Sequence, residues 1–355
     1  MGQNEDMNVE QKPHKRRVRY SGTHPKNYKE KYKEHQPDKY AEDVAAIIQK
    51  GKTPAGTHIS ICVEEIMNIL NIQPGETGLD CTLGYGGHTK EMLSHLNGQG
   101  HMYATDVDPI ESQKTRKRLE EAGYGEDILT IKLRNFGDIH LFHEEGVSFD
   151  FVMADLGVSS MQIDNPERGF TFKQDGPLDL RLNPEQGVSA AERLKELSQI
   201  ELEEMLVENS DEPYAREIAK EIIKTYRNGE TIETTKKLAE VIARALSFIP
   251  EKEQKETIKK SCQRSFQALR IDINNEYEVL FDLLDKLPEV LNSGGRVAIL
   301  TFHSGEDRLV KRAFKQGYKA RIYSEIAQDV IRPSAQECFV NSRARSAKLR
   351  WAVKA

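Results

Sequence analysis

A chain of 355 residues, 37% apolar and 30% charged, is long enough to bury a full core and to divide into two domains. No apolar run approaches a membrane span and the N-terminus lacks the apolar core of a secretory signal, so a cytoplasmic protein with no membrane partner is expected. Four cysteines (62, 81, 262 and 338) lie far apart with no C-x-x-C pair. That spacing argues against a zinc site, any other metal and a disulfide framework, and for a reducing compartment.

The net charge of −6 is unevenly spread: from Lys12 to Lys33, nine Lys/Arg face a single acid, Glu30. Residues 1–52 read as a basic extension without apolar periodicity until Tyr40. Tyr20, Tyr28 and Tyr32 are interleaved with the positive charges. Cations attract phosphate and tyrosine rings stack on unpaired bases, so nucleic acid is the expected partner of this arm.

Regular patterning begins near residue 58. Helical spacing over Ile59–Leu70 is followed by a strand, Thr77–Thr82, and by the run D-C-T-L-G-Y-G-G-H at 80–88. A helix at 88–96 places Met92, Leu93 and Leu96 on one face. A second strand, His101–Thr105, ends on Asp106, and Pro109 opens the helix Pro109–Ala122. A third strand, Ile128–Leu133, leads into N-F-G-D; a fourth, Phe149–Ala154, ends on Asp155. Strand and helix in alternation predict a parallel sheet, with the ligand at the carboxyl ends of its strands. Asp80, Asp106, Asn135–Phe136 and Asp155 all fall there, one group per strand.

The alternation then breaks. Residues 156–185 are loop-rich and 188–248 are helical throughout, which predicts an inserted helical domain. A single long helix over Phe266–Leu291, stopped by Gly294–Gly295, returns the chain to the sheet. Arg296–Phe302 is an apolar fifth strand, central in the sheet. Ser304 is expected to cap the next helix with Asp307 three residues on. Strands near Tyr318–Tyr323 and at Ala347–Val353 complete seven.

The glycines at 84, 86 and 87 permit positive φ and let a ligand approach bare backbone. A dinucleotide turn, G-x-G-x-x-G, needs a third glycine where this chain has Thr89. Adenosine ligands without a pyrophosphate do not need it, and S-adenosylmethionine leads that class. Asp106, about 20 residues on, stands where a ribose diol is held. An NAD-dependent dehydrogenase is the rival enzyme, and a non-catalytic ribosome-assembly factor the rival binder. A hydrolase is excluded by the lack of a G-x-S-x-G turn.

The motifs D-L-G-V-S-S (155–160), R-G-F-T-F (168–172), D-G-P-L-D-L-R (175–181), F-Q-A-L-R-I (266–271), F-H-S-G-E-D-R (302–308) and N-S-R-A-R-S-A-K-L-R (341–350) together resemble the RsmH (MraW) methyltransferases. They run in family order over some 300 residues. The resemblance implies an α/β fold, a Rossmann-like class I methyltransferase with a mostly parallel seven-stranded sheet and a helical insertion. It implies a methyltransferase domain over 53–160 and 264–355, with the insertion at 161–263. The implied reaction is S-adenosylmethionine-dependent methylation of the 4-amino group of a cytidine in 16S ribosomal RNA, within the small subunit. Cofactor residues carried over by position are Gly86, Gly87, His88, Asp106, Phe136, Asp155 and Gln162. The chain departs from the family pattern at Gly305 (usually Leu) and Met161 (usually Pro), and in its basic extension. Oligomeric state stays open, a dimer included.

A cytosine amine is a poor nucleophile because its lone pair is delocalised into the ring. Acceptors that pull its hydrogens out of plane restore it. Asp155, with Ser159 and Ser160, holds the expected position; Asp179 is a second candidate catalytic residue. Asp106 and Asp155 are expected to meet ribose, adenine or the methionine amine. A carboxylate against the sulfonium would stabilise the ground state. His88 is a candidate donor to the methionine carboxylate. Phe170 and Phe172 either sandwich the base or plug a core. Arg168 and Arg181 either grip phosphates or brace carboxylates. Arg270 is expected in a structural ion pair. Arg308, Lys311, Arg312, Lys315, Lys319 and Arg321 are expected to join Arg343, Arg345, Lys348 and Arg350 in one basic face.

Overall fold

The computed structural model describes residues 60–355; the basic extension at 1–52 lies outside them. Seven strands form one sheet in the order β3-β2-β1-β4-β5-β7-β6. They are β1 (Thr77–Asp80), β2 (His101–Asp106), β3 (Leu129–Leu133), β4 (Phe149–Asp155), β5 (Leu291–Thr301), β6 (Tyr323–Ile326) and β7 (Lys348–Lys354). All pairings are parallel except those of β7 with β5 and β6. The strand order reverses between β1 and β4, so a crevice opens at their carboxyl ends. Side chains of β4 and β5 are buried on both faces because helices cover both. One apolar core lies under α1 (Val63–Leu70) and α2 (Gly87–Leu96). The other lies on the opposite face, under the helices that precede and follow β5. The expected α/β architecture is observed.

The insertion is helical as expected, with a core of its own centred on Leu202, Ile218, Leu238 and Ile242. Around the first two strands and the insertion run α3 (Pro109–Glu121), α4 (His140–Glu144), α5 (Ser160–Asp164), α6 (Ala190–Glu196), α7 (Gln199–Ser210), α8 (Ala215–Arg227) and α9 (Thr235–Ala245). Ser189 and Ser198 open α6 and α7 through capping boxes with Glu192 and Glu201.

Four local expectations are corrected. The single helix over Phe266–Leu291 is two, α10 (Glu251–Asn274) and α11 (Glu276–Val290), broken where Asn275 turns left-handed at φ 48°. The boundary at 263 falls inside α10, whose Phe266, Ala268 and Leu269 still pack in the insertion's core. Gly294 and Gly295 do not stop a helix. They form an irregularity inside β5, where the register jumps from Leu291 opposite Phe149 to Arg296 opposite Phe151. The next helix, α12 (Ser304–Lys319), has His303 rather than Ser304 at its N-cap position, and it runs through Tyr318, so the strand expected over Tyr318–Tyr323 begins only at Tyr323. A short α13 (Ala335–Val340) precedes β7.

The ten-residue basic face does not form. Arg350 is buried and, with Lys348, pairs with Asp307, while Arg343 pairs with Asp164. Exposed cations remain along α12 at 308, 311, 312, 315 and 319. Among the described residues all four cysteines are free thiols, and no helix is long and apolar enough to cross a membrane.

Candidate active site

A cavity of about 590 Å3 opens at the carboxyl ends of β1, β2, β4 and β5. Gly86, Gly87, His88, Asp106, Phe136, Asp155 and Gln162 all line it, so the seven residues singled out for the cofactor converge on one space.

The β1 side is a locked scaffold. Asp80 ends the strand fully buried. It accepts from the Thr82 N–H (2.9 Å) and the Thr89 hydroxyl (2.6 Å), tying the glycine turn to the first turn of α2. Burial raises its pKa, with those bonds opposing. Gly86 sits at φ 82° as the N-cap of α2 and offers no side-chain cap. The first N–H groups of that helix therefore face the cavity ready for an anion. A Cβ on Gly87 would lie 2.0 Å from the Ser60 hydroxyl, so the turn has no room for a larger residue.

Asp106, at the end of β2, accepts from the Gly84 N–H (2.7 Å) and the Asp108 N–H (2.9 Å). Burial nonetheless pushes its pKa up to about 6. Asp108 is the hub that sequence reasoning missed. Fully buried, it caps α3 with one oxygen; the other accepts from Gln162 Nε2 (3.0 Å) and Arg168 Nη1 (2.7 Å). An Asp directly before Pro109 was the available signal. Arg168 thus braces a carboxylate and grips no phosphate. Gln162 acts through the loop, its Oε1 accepting from Ser159 N–H and its amide spent on Asp108. The Ser159 hydroxyl caps α5. Met161 is the second residue of α5, where a backbone N–H has no helical partner, so proline and methionine interchange there.

His88 lines the cavity at the first turn of α2. Its Nε2 is 3.0 Å from the Ile61 carbonyl and its Nδ1 3.7 Å from Asp155 Oδ2. Asp155 ends β4, its N–H donating to the Thr82 hydroxyl (2.7 Å). Its Oδ1 is buried with no hydrogen-bond partner. Burial pushes the carboxyl pKa up to about 6, against the attraction of His88. Asp179 is the second catalytic candidate. Arg181 clamps both its oxygens (2.8 and 2.7 Å), and it does not line the cavity.

The β5 side adds groups that the sequence analysis passed over. Phe302, His303 and Glu306 line the cavity beside Arg270 and Glu276. Glu306 is buried and accepts from the Phe302 N–H (2.9 Å), and its Oε1 lies 3.1 Å from His303 Nε2. Burial works to raise its pKa, yet the hydrogen bond and charge of His303 bring it below the ordinary range. Arg270 forks onto both oxygens of Glu276 (2.8 and 2.9 Å), the ion pair expected of it. Phe170 and Phe172 line the cavity and also pack on the insertion core, Phe172 at 5.3 Å from Phe266. The packing is that of core plugs, with one side of each ring left on the cavity.

Residues 55–355 match the model of the MraW methylase family. A protein of Lachnoclostridium phytofermentans named ribosomal RNA small subunit methyltransferase H 1 is 67% identical, covering 96% of this chain and 93% of its own. The protein of that name from Agathobacter rectalis is 65% identical over 98% of this chain and 99% of its own. Such coverage carries the alignment into residues 1–52. The ribosomal RNA small subunit methyltransferase H of Thioalkalivibrio sulfidiphilus is 38% identical and covers 85% of this chain and 98% of its own. The glycine turn, the acids at the strand ends, the inserted helical domain and these matches agree: the chain belongs to the MraW methylase family.

Proposed function

We propose that this protein transfers a methyl group from S-adenosylmethionine to the exocyclic 4-amino group of a cytidine in 16S ribosomal RNA, presented by the small ribosomal subunit. The names of its relatives support the RNA, and the cavity supports the chemistry. The single observation that carries the reading is the buried, unpartnered Oδ1 of Asp155, set at the end of β4 beside the start of the helix that follows the glycine turn.

The donor fits the residues present. Gly86 and Gly87, with the uncapped start of α2, would take its carboxylate; Asp106 would take the ribose hydroxyls; Phe136 would cover the adenine. When bound, the donor supplies an electrophilic methyl on a sulfonium centre. Asp106 stays with the ribose because two backbone N–H groups fix its carboxylate. Asp155 accepts an amine hydrogen and orients the nitrogen lone pair, and in-line positioning supplies much of the acceleration. A carboxylate is too weak a base to remove the proton beforehand, so the proton leaves after the methyl arrives.

Modification mapping tests this. A strain lacking the gene should lose one cytidine methylation in 16S RNA, regained with the wild-type gene and not with Asp155→Ala. Unchanged methylation on deletion would refute the substrate.

A further inference from the structure

We infer that His303 is a second catalytic residue: its Nδ1 accepts the other hydrogen of the target amine and takes the proton, with Glu306 as the positioning residue behind it. The inference rests on the amine-methylation reading above.

An exocyclic amine carries two hydrogens, and localising its lone pair requires an acceptor for each. Asp155 Oδ1 is one buried acceptor without a partner. Among the described residues that line the cavity, the His303 ring supplies another. Its Nδ1 is buried without a hydrogen-bond partner, while Nε2 faces Glu306. A buried polar group left unpaired is costly, so an orphan at a cavity wall calls for a ligand. The two residues end neighbouring strands: Asp155 pairs in register with Leu300 of β5, and His303 follows three residues later.

The orientation of the ring decides its role. Nε2 faces Glu306 Oε1 at 3.1 Å. A carboxylate there favours the tautomer with its hydrogen on Nε2, which leaves a lone pair on Nδ1. Glu306 is itself held by the Phe302 N–H, so the ring is fixed from behind. Tyr277, with its ring centre 5.9 Å away, flanks the imidazole. Glu276, clustered with His303 and Glu306, has both its oxygens paired with Arg270.

The step balances as follows. The amine nitrogen forms a bond to the methyl carbon as the carbon–sulfur bond breaks, its electron pair remaining on sulfur. One N–H proton passes to His303 Nδ1, giving an imidazolium that faces the Glu306 carboxylate. The proton then leaves to solvent, and the products are the N4-methyl base and a thioether.

Nitrogen-15 NMR of the wild-type protein tests the geometry without turnover. Free cytidine should move the His303 Nδ1 resonance, and N4,N4-dimethylcytidine, which has no amine hydrogen, should not. Glu306→Gln should shift the tautomer equilibrium away from Nε2–H. In methyl transfer to small subunits, His303→Ala should lower kcat about 100-fold or more while donor affinity stays within about threefold. His303→Asn, which keeps an oxygen near the Nδ1 position, should recover part of that loss. Equal resonance shifts with both nucleosides, or a kcat within threefold of wild type in His303→Ala, overturns the inference and leaves cytidine methylation standing. A wild-type enzyme that methylates no cytidine overturns both.

Discussion

The two halves of the cavity treat their polar groups in opposite ways. On the β1–β2 half, carboxylates are tied to backbone and loop: Asp80 to Thr82 and Thr89, Asp106 to Gly84 and Asp108, Asp108 to Gln162 and Arg168. On the β4–β5 half, Asp155 Oδ1 and His303 Nδ1 lie buried without a partner. A ligand that must be held the same way at every turnover suits rigid, satisfied groups. A nucleophile that must be activated needs acceptors kept free for it. The first half therefore governs binding and the second governs rate.

The largest expected effect breaks the comparison if it fails. Asp155→Ala should lower kcat by about 10³-fold, as loss of one preorganised polar group in a dry site does. Donor affinity should change by less than about fivefold, measured by calorimetry. A variant that loses donor binding as steeply as turnover would erase the distinction between the halves.

Next in size is Arg270→Met. It strands Glu276, and with it the charge of Glu306, in a partly buried setting. Destabilisation of about 3 kcal/mol is expected in denaturant unfolding. The fold should lose more than the chemistry, because Arg270 balances charge behind the β5 half.

Gly86→Ala acts on the other half. A side chain at φ 82° is strained, and its Cβ would lie 2.8 Å from the Thr115 methyl. The cost of about 1–2 kcal/mol should appear as a roughly tenfold higher KM for the donor with kcat little changed. That is the reverse of the pattern for Asp155→Ala, and steady-state kinetics on the two variants would show it.

The sequence made the first half far more legible than the second. Strand ends and glycine turns obey local rules, so Asp106, Phe136 and Asp155 could be placed from periodicity alone. Asp108 was missed because its partners, Gln162 and Arg168, are more than 50 residues away. The partner of Asp179 could not be read because a nearby arginine can brace or compete, and only coordinates show that Arg181 closes on it. His303 was overlooked because F-H-S-G-E-D-R offers three capping candidates in a row. The choice of His303 over Ser304 turns on where the backbone leaves β5. Gly305 shows the same limit. A Cβ there would lie 2.0 Å from the Tyr277 hydroxyl, so the departure from the family's leucine is legible only as packing. The break at Asn275 was invisible for a related reason: asparagine is tolerated inside helical spacing and marks a turn only when its φ is known.

The smallest expected effect separates two aspartates that titrate alike. Asp106 and Asp155 are both raised to about 6 by burial. A carboxyl whose folded pKa lies above its unfolded value binds protons more tightly when folded. Its penalty is therefore absent below about pH 4, grows as pH rises, and is complete above pH 6. Asp155→Asn removes the charge that incurs it. Because the Asp155 side chain is 30% exposed, the gain is discounted to about 1–2 kcal/mol at pH 8, and it should shrink at pH 5. Asp106→Asn should yield no such gain. An amide has one acceptor oxygen, and its NH2 group would face one of the two backbone N–H donors that now point at the carboxylate. Thermal melts of the two variants at pH 5 and pH 8 make the comparison. A higher Tm at pH 8 for Asp155→Asn alone means that its charge is kept in place at the expense of stability, as a group retained for chemistry would be. Equal gains for both would mean that burial alone sets their energetics and that the two halves of the cavity are not differently made.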